Sequence, residues 1–313
     1  MNKDFLLPKI LATSVVRGSQ QGDSQGGVYL IDFNNKKTVQ RVDWNKSDID
    51  FSGRGWDRGL RGIAFHKEEI LIAASDELFV FDQDFNIKRS FTNPYFKHAH
   101  EIFKYQNFLF ITSTGFDSIL VFDLLSEQFI NAAHLQYRNQ NWRCSKFNPT
   151  KNKGPDFNNE LHINNVYCNQ NGLYISGLKT RALIHIDKNL TAQEYWQLPP
   201  GVHNARPFKQ GVIFNDTQNN SFKVINPNRQ TLSFKIPQYP QDNLTHVNLD
   251  DSRIARQGFA RGLCWLSEKI IAIGSSPSTI SLFNLEQRKK VGAVNLTMDI
   301  RNAIHGLAVW PYP

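Results

Sequence analysis

Sulfur is scarce in this chain: its 313 residues include three cysteines (Cys144, Cys168 and Cys264) and two methionines. An odd number of cysteines with no CxxC spacing speaks against a disulfide scaffold or a cysteine-ligated zinc site, and fits a reducing cytoplasm. Long apolar runs are also missing. No stretch reaches the roughly 18–20 residues of a membrane-spanning helix, so no membrane partner is expected. The opening MNKDFLLPKILATSVV sets Pro8 and Lys9 inside its apolar part and has no small-residue cleavage site, so no secretory signal is expected. Dense charge is rare too. The net charge is +8, but the densest run is Arg288-Lys289-Lys290, neither a basic tail nor a nucleic-acid motif. No nucleic-acid partner is expected, and a diffuse positive field suits a small anionic ligand. Nothing in the sequence sets an oligomeric state. Helical periodicity is weak throughout, while apolar residues at 40% are enough for a core.

What the chain does have is a repeat. Six short segments open extended stretches: RGIAFH at Arg61, HEIFKY at His100, HINNVYC at His162, HNARPF at His203, RGLCWL at Arg261 and HGLAVW at His305. A second β-rich run follows (EILIAAS, NFLFITST, GLYISG, GVIFND, KIIAIGSS), then a third that ends at Asp82, Asp123, Asp187, Asn226 or Asn284. The spacings from anchor to this last residue are 21, 23, 25, 23 and 23. Asp and Asn suit tight hairpin turns at such ends, so Asp32, Asp82, Asp123 and Asp187 are read as turn formers. A fourth run completes each unit.

The sixth unit is split, because its missing strands stand at the start of the chain: KILATSVV, GGVYLIDF and KKTVQRVDW. The expectation is an all-β, six-bladed β-propeller over 1–313 as a single domain, closed by N- and C-terminal strands sharing one blade. The blades fall at about 60–90, 99–133, 160–197, 202–236, 259–296, and 303–313 with 9–43. Three connections, 44–60, 134–160 and 236–258, are long enough to carry function. The pair Trp56-Asp57 sits in a Gly/Arg-rich loop and not at a third-strand end, which disfavours the WD40 class.

The anchors repeat at one register of the innermost strand, so Arg61, His100, His162, His203, Arg261 and His305 are expected to face one central channel. The leading expectation is a metal-dependent enzyme, an oxygenase or lyase. His100, His162, His203 and His305 would ligate a divalent first-row ion, iron first, and carry catalysis. Arg61 and Arg261 would hold a small anionic substrate bidentately, helped by Asn164, Asn204 and Arg206. The alternatives are a metal-free His/Arg transferase or lyase on the same ring, and a non-catalytic interaction scaffold. Asn165 also follows an anchor, Trp56 and Trp142 are candidate covers, and Glu101 and Glu160 are candidate acids. His66, His98, His134, His185 and His246 lie off the register and are read as surface or blade packing.

Three stretches carry a resemblance: HINNVYCNQNGLYISG (162–177), GVHNARPFKQGVIFNDTQNNSFKVIN (201–226) and GFARGLCWLSEKIIAIGSS (258–276). Together they resemble an uncharacterised bacterial and cyanobacterial family of six-bladed propellers, over the central and C-terminal two thirds. The His203-x-x-Arg206 run and Arg261-Gly-Leu are the most specific parts, while the family often shows Ser where Asn204 stands. The resemblance implies the fold and a shared channel site, and no particular activity. Bacterial arylsulfotransferases and carotenoid-cleaving oxygenases are weaker analogies, and fold likeness does not fix function.

Overall fold

The structure, a computed structural model, describes residues 6–46, 59–247 and 256–313. Its strands in chain order are β1 (Ile10–Val16), β2 (Gly26–Asp32), β3 (Lys37–Asp43), β4 (Ile63–His66), β5 (Glu69–Ala74), β6 (Glu77–Phe81), β7 (Ile87–Thr92), β8 (Ile102–Tyr105), β9 (Phe108–Ser113), β10 (Ser118–Asp123), β11 (Gln128–Arg138) and β12 (Asn141–Phe147). They continue with β13 (Ile163–Asn169), β14 (Gly172–Gly177), β15 (Ala182–Ile186), β16 (Ala192–Gln197), β17 (His203–Phe208), β18 (Gly211–Asp216), β19 (Ser221–Ile225), β20 (Thr231–Lys235), β21 (Gly258–Trp265), β22 (Ile270–Ser276), β23 (Thr279–Asn284), β24 (Lys289–Asn295) and β25 (Asn302–Val309). These strands make six antiparallel sheets, the blades of an all-β, six-bladed β-propeller fold. Among the described residues no helix is long and apolar enough to cross a membrane.

The sheets follow chain order, four strands each, with two departures. The terminal sheet runs β25-β1-β2-β3, so the strand from the far end of the sequence pairs with the first, as the split repeat predicts. The second blade has five strands, β12-β11-β10-β9-β8. Here the reading of 134–160 as one long connection needs correction: β11 runs on to Arg138 and turns back as β12. Asn139 and Gln140 both sit at positive φ (51° and 62°), the backbone of a two-residue hairpin turn whose twist matches its strands. Polar residues along these strands hid that pairing from a reading based on apolar runs.

The turn residues behave as expected. Asp32 Oδ1 accepts the N–H of Asn34 and Asn35, Asp82 Oδ1 that of Asn86, and Asp123 Oδ1 that of Leu125. Asp187 Oδ1 accepts the N–H groups of Asn189 and Thr191, and Asn226 and Asn284 do the same for Gln230 and Gln287. Hydrogen bonds from the turns hold all four carboxyls below the usual aspartate range.

The chain divides into two compact units, Met1–Leu60 with Phe234–Pro313, and Arg61–Ser233. In each, second and third strands are almost wholly buried while fourth strands such as β3 and β7 alternate outward. That is why the second and third runs read as continuous apolar stretches: both faces of the strand are covered. In Arg61–Ser233 the cores lie between successive sheets, for example Leu71, Leu78 and Val80 with Leu109, Ile111 and Phe122. In the other unit Ile10, Ala12 and Ile31 pack with Ala272, Ile280, Leu282 and Ile304.

Candidate functional site

Within Arg61–Ser233 the first strands lie in sequence, β4 beside β8, β8 beside β13 and β13 beside β17. Their anchor residues stand at or just before the strand start. Arg61 is fully buried; its N–H donates to the Ala73 carbonyl (2.8 Å) and its Nη1 to the Ala99 carbonyl (3.1 Å). One arm of this arginine therefore fixes the residue that precedes His100.

Both His100 and His203 are buried, each with Nδ1 in a hydrogen-bonding contact. His100 Nδ1 lies 2.8 Å from the His98 carbonyl and 2.9 Å from Thr114 Oγ1. A carbonyl only accepts, so Nδ1 carries the proton and a neutral His100 keeps its lone pair on Nε2. His203 Nδ1 lies 2.9 Å from Thr217 Oγ1, a hydroxyl that both donates and accepts, so this contact positions the ring without fixing its tautomer. The two threonines share a sequence signal that the anchor reading overlooked. A hydroxyl residue stands fourteen positions after each of the first five anchors: Ser75, Thr114, Ser176, Thr217 and Ser275.

His162 is half-buried at φ 53°, and its ring centroid is 5.3 Å from that of His100. The carboxylate of buried Asp117 holds this approach, accepting the N–H of Leu161 (2.8 Å) and of Ile163 (3.4 Å).

Next to His100 stands the residue of most chemical interest, Glu101. The Thr112 hydroxyl accepts the N–H groups of both His100 (2.9 Å) and Glu101 (3.0 Å) and donates to the Glu101 carbonyl, stapling this turn to β9. The Glu101 side chain is buried, and Asn204 Nδ2 donates to its Oε2 at 2.7 Å. Asn204, at φ 52°, is in turn held by Asn215, whose amide donates to Asn204 Oδ1 at 3.1 Å. Burial raises the Glu101 pKa; opposed by the Arg206 guanidinium and by the Asn204 amide, it settles at about 7. Glu101 was one of two candidate acids in the sequence. The other, Glu160, is a surface residue paired with Arg138 at 2.7 Å.

Arg206 lies 5.9 Å from the ring centroids of both Phe103 and Tyr167. Its Nε is buried with no hydrogen-bond partner among the described residues, and so are Asn164 Oδ1 and Asn165 Oδ1. The amides of these two asparagines are committed elsewhere, Asn164 Nδ2 to the Val202 carbonyl (3.1 Å) and Asn165 Nδ2 to the Ala205 carbonyl (2.7 Å). Both side chains thus lock β13 to β17 and leave an oxygen to be satisfied by water or ligand.

In the unit of Met1–Leu60 and Phe234–Pro313, β21 lies beside β25, and the Arg261 guanidinium donates from Nη1 to His305 Nε2. The Arg17, Arg256 and Arg261 guanidiniums lie 4.1, 4.9 and 4.4 Å from the Phe259 ring centroid. Trp56 lies outside the described residues. Trp142 packs on Tyr137 and on the core under β12.

Among the described residues no group of three or more His, Cys, Asp or Glu side chains is placed to hold a metal ion. His305 Nε2 is engaged by the Arg261 guanidinium. The expectation of iron at His100, His162, His203 and His305 gains no support from this geometry.

No protein-family model and no curated protein matches the chain. Solved structures do. A Bacteroides caccae protein of unknown function aligns with a TM-score of 0.57 at 12% identity, over 96% of this chain and 98% of its own. A chain of the nidogen/laminin complex aligns with a TM-score of 0.58 at 11% identity, over 96% and 97%. At such identities the likeness is one of fold alone, and the fold it supports is the six-bladed propeller.

Proposed function

We propose that this propeller is an enzyme working by metal-free general acid–base catalysis on a small anionic substrate, with Glu101 as the proton-transferring group. The reading rests on one observation: a buried carboxyl with a pKa of about 7, gripped by Asn204 and faced by Arg206. A group that titrates near the working pH can both take and return a proton, the property such catalysis needs. Arg206 then serves the anionic part of the substrate; its unsatisfied Nε and the oxygens of Asn164 and Asn165 supply further polar contacts. His100, which keeps a lone pair on Nε2 when neutral, is a second candidate base in this reading. A lyase, which removes a proton beside a carboxylate and expels a leaving group, uses these parts most directly. Arg61 keeps its assignment to anion binding as part of this reading.

Two measurements test it. Carbon NMR of the glutamate carboxyls should find one group titrating near neutral pH, absent in Glu101→Gln. A midpoint at the ordinary glutamate value removes the basis of the proposal. Elemental analysis of purified protein should find no stoichiometric metal. Stoichiometric iron or zinc that disappears in His162→Ala would establish the metal-dependent alternative in its place.

A further inference from the structure

We infer that the substrate of the Glu101 site carries a primary ammonium beside its anionic part and is an acidic amino acid, a conclusion that rests on the proposed assignment of Glu101 and Arg206 to the substrate. The buried oxygens of the site set this class, because they can only accept hydrogen bonds.

The oxygens are gathered by β13 and β17. Along β13 the pairing with β14 shifts between Ile163 and Asn165, and Asn164 is the extra residue of this bulge. The side chains of Asn164 and Asn165 therefore both reach β17, where their amides donate to the Val202 and Ala205 carbonyls at 3.1 and 2.7 Å. Those two carbonyls bracket His203 and Asn204 in the chain. The Asn204 amide in turn donates to Glu101 Oε2 at 2.7 Å. Three side chains from two other blades thus gather around Asn204.

Their roles are fixed by these bonds. Turning either asparagine amide over would set its oxygen against a carbonyl oxygen, so Oδ1 is an acceptor in each. Asn164 is 2% and Asn165 0% exposed, and both Oδ1 atoms are buried with no hydrogen-bond partner among the described residues. A buried acceptor left without a donor is costly, so a donor belongs here. A ligand carbonyl or carboxylate would only set acceptor against acceptor. Two amide oxygens and a carboxylate suit a group with several N–H donors and a positive charge, which is an ammonium. A hydroxyl supplies one donor and no charge to set against Glu101.

Arg206 supplies the opposite end. Its Nε is also buried without a partner among the described residues, but the side chain as a whole is half-buried, as are Phe103 and Tyr167, whose ring centroids lie 5.9 Å from it. This more open end takes a carboxylate in a charge-assisted contact. Ammonium at the closed end and carboxylate on Arg206 describe an amino acid, and the net negative charge of an anionic substrate calls for a second carboxylate.

Calorimetry on the full chain with six probes tests this: L-aspartate and L-glutamate, their amine-free counterparts succinate and glutarate, and their hydroxy counterparts L-malate and 2-hydroxyglutarate. At least one amino acid should bind at least about tenfold more tightly than both of its counterparts, because a site built to bond a donor group discriminates against analogues that lack it. Glu101→Gln, which still accepts from Asn204, should remove most of that preference. Arg206→Gln should weaken amino acid and diacid alike, by about tenfold or more. Amine-free or hydroxy acids that bind as tightly, binding of neither amino acid, or a preference untouched in Glu101→Gln overturns the inference, and the acid–base role of Glu101 then stands or falls on its NMR titration alone. An ordinary glutamate midpoint with the amino acid preference intact removes that role and leaves the ligand class standing.

Discussion

Asn204 Nδ2 donates to Glu101 Oε2 at 2.7 Å although 103 positions separate them. The bond carries a carboxyl and an amide from two different blades into one buried contact, and it sets the first prediction. Glu101 has a folded pKa of about 7 against an ordinary value of 4.5. Between those values the folded state holds a proton that the unfolded state has released, so stability falls as pH rises through the interval and levels off above it. At about 1.36 kcal/mol per unit the loss reaches roughly 3 kcal/mol. Glu101→Gln, uncharged but still able to accept from Asn204, should gain on the wild type by that order between pH 5 and pH 8. Denaturant unfolding at the two pH values reads it; an unchanging difference means that the carboxyl ionises normally.

Thr114→Val and Thr217→Val should unsettle the imidazoles they support. Thr217→Val removes one partner of His203 and is expected to cost about 1 kcal/mol. Thr114→Val should cost more, because its hydroxyl also donates to the Ile163 carbonyl. Nitrogen NMR should show His100 as a single Nδ1–H tautomer in the wild type and a mixture in Thr114→Val, and the His203 ring signals should shift in Thr217→Val.

Asp117→Ala should displace His162. The substitution strips the acceptor from the Leu161 and Ile163 N–H groups and places alanine at φ 45°. Unpaired buried donors cost about 1–3 kcal/mol, and a left-handed backbone adds to it. Asp117→Asn, which keeps an oxygen acceptor and tolerates that backbone, should recover most of the loss in thermal melts. Equal damage from the two variants would mean that the oxygen is not what matters.

At the outer edge of the first two blades, Arg89 bridges Glu69 and Glu127, and Lys88 adds a contact to Glu69 at 2.6 Å. The Arg89 hydrogen bonds hold the Glu69 pKa down at about 2. A carboxylate depressed in the folded state stabilises it above the ordinary pKa and loses that contribution as pH falls toward the depressed value. Glu69→Gln should therefore narrow the gap between stability at pH 7 and at pH 3. Being half in solvent, the network should also weaken in high salt.

Removal of β25 should unfold the terminal sheet. The strand covers the edge of β1, whose Ile10, Leu11 and Ala12 are fully buried. A chain ending before Asn302 should elute as aggregate on gel filtration, since a long apolar strand edge pairs with other copies.

The repeat made the blades legible because apolar runs, turn residues and spacing all recur, and the shared terminal sheet followed from counting. The fifth strand escaped, since β12 carries Asn141, Arg143, Ser145 and Lys146 and no apolar run. The anchors were legible as a register, but their partners were not. That His305 meets Arg261, and that Glu101 is a buried acid and not a surface one, depends on which strands adjoin. Asn204 reaching Glu101 is a contact between blades, and one repeat unit holds no trace of it. The hydroxyl fourteen residues beyond each anchor was readable in principle, and its meaning appears once Thr114 and Thr217 are seen under the imidazoles.

The Gly306 N–H donates to Thr13 Oγ1 across 293 positions. At a synthesis rate of about 5–20 residues per second, the first strand therefore emerges on the order of 15–60 s before its inner neighbour exists. Through that interval β1 offers one bare edge, and the sheet is finished only when translation has passed the last blade. Growth by successive hairpins is local and quick, but the final joining step pairs strands from the two ends of the described chain, so it should set the pace of maturation and be where a nascent-chain chaperone helps most.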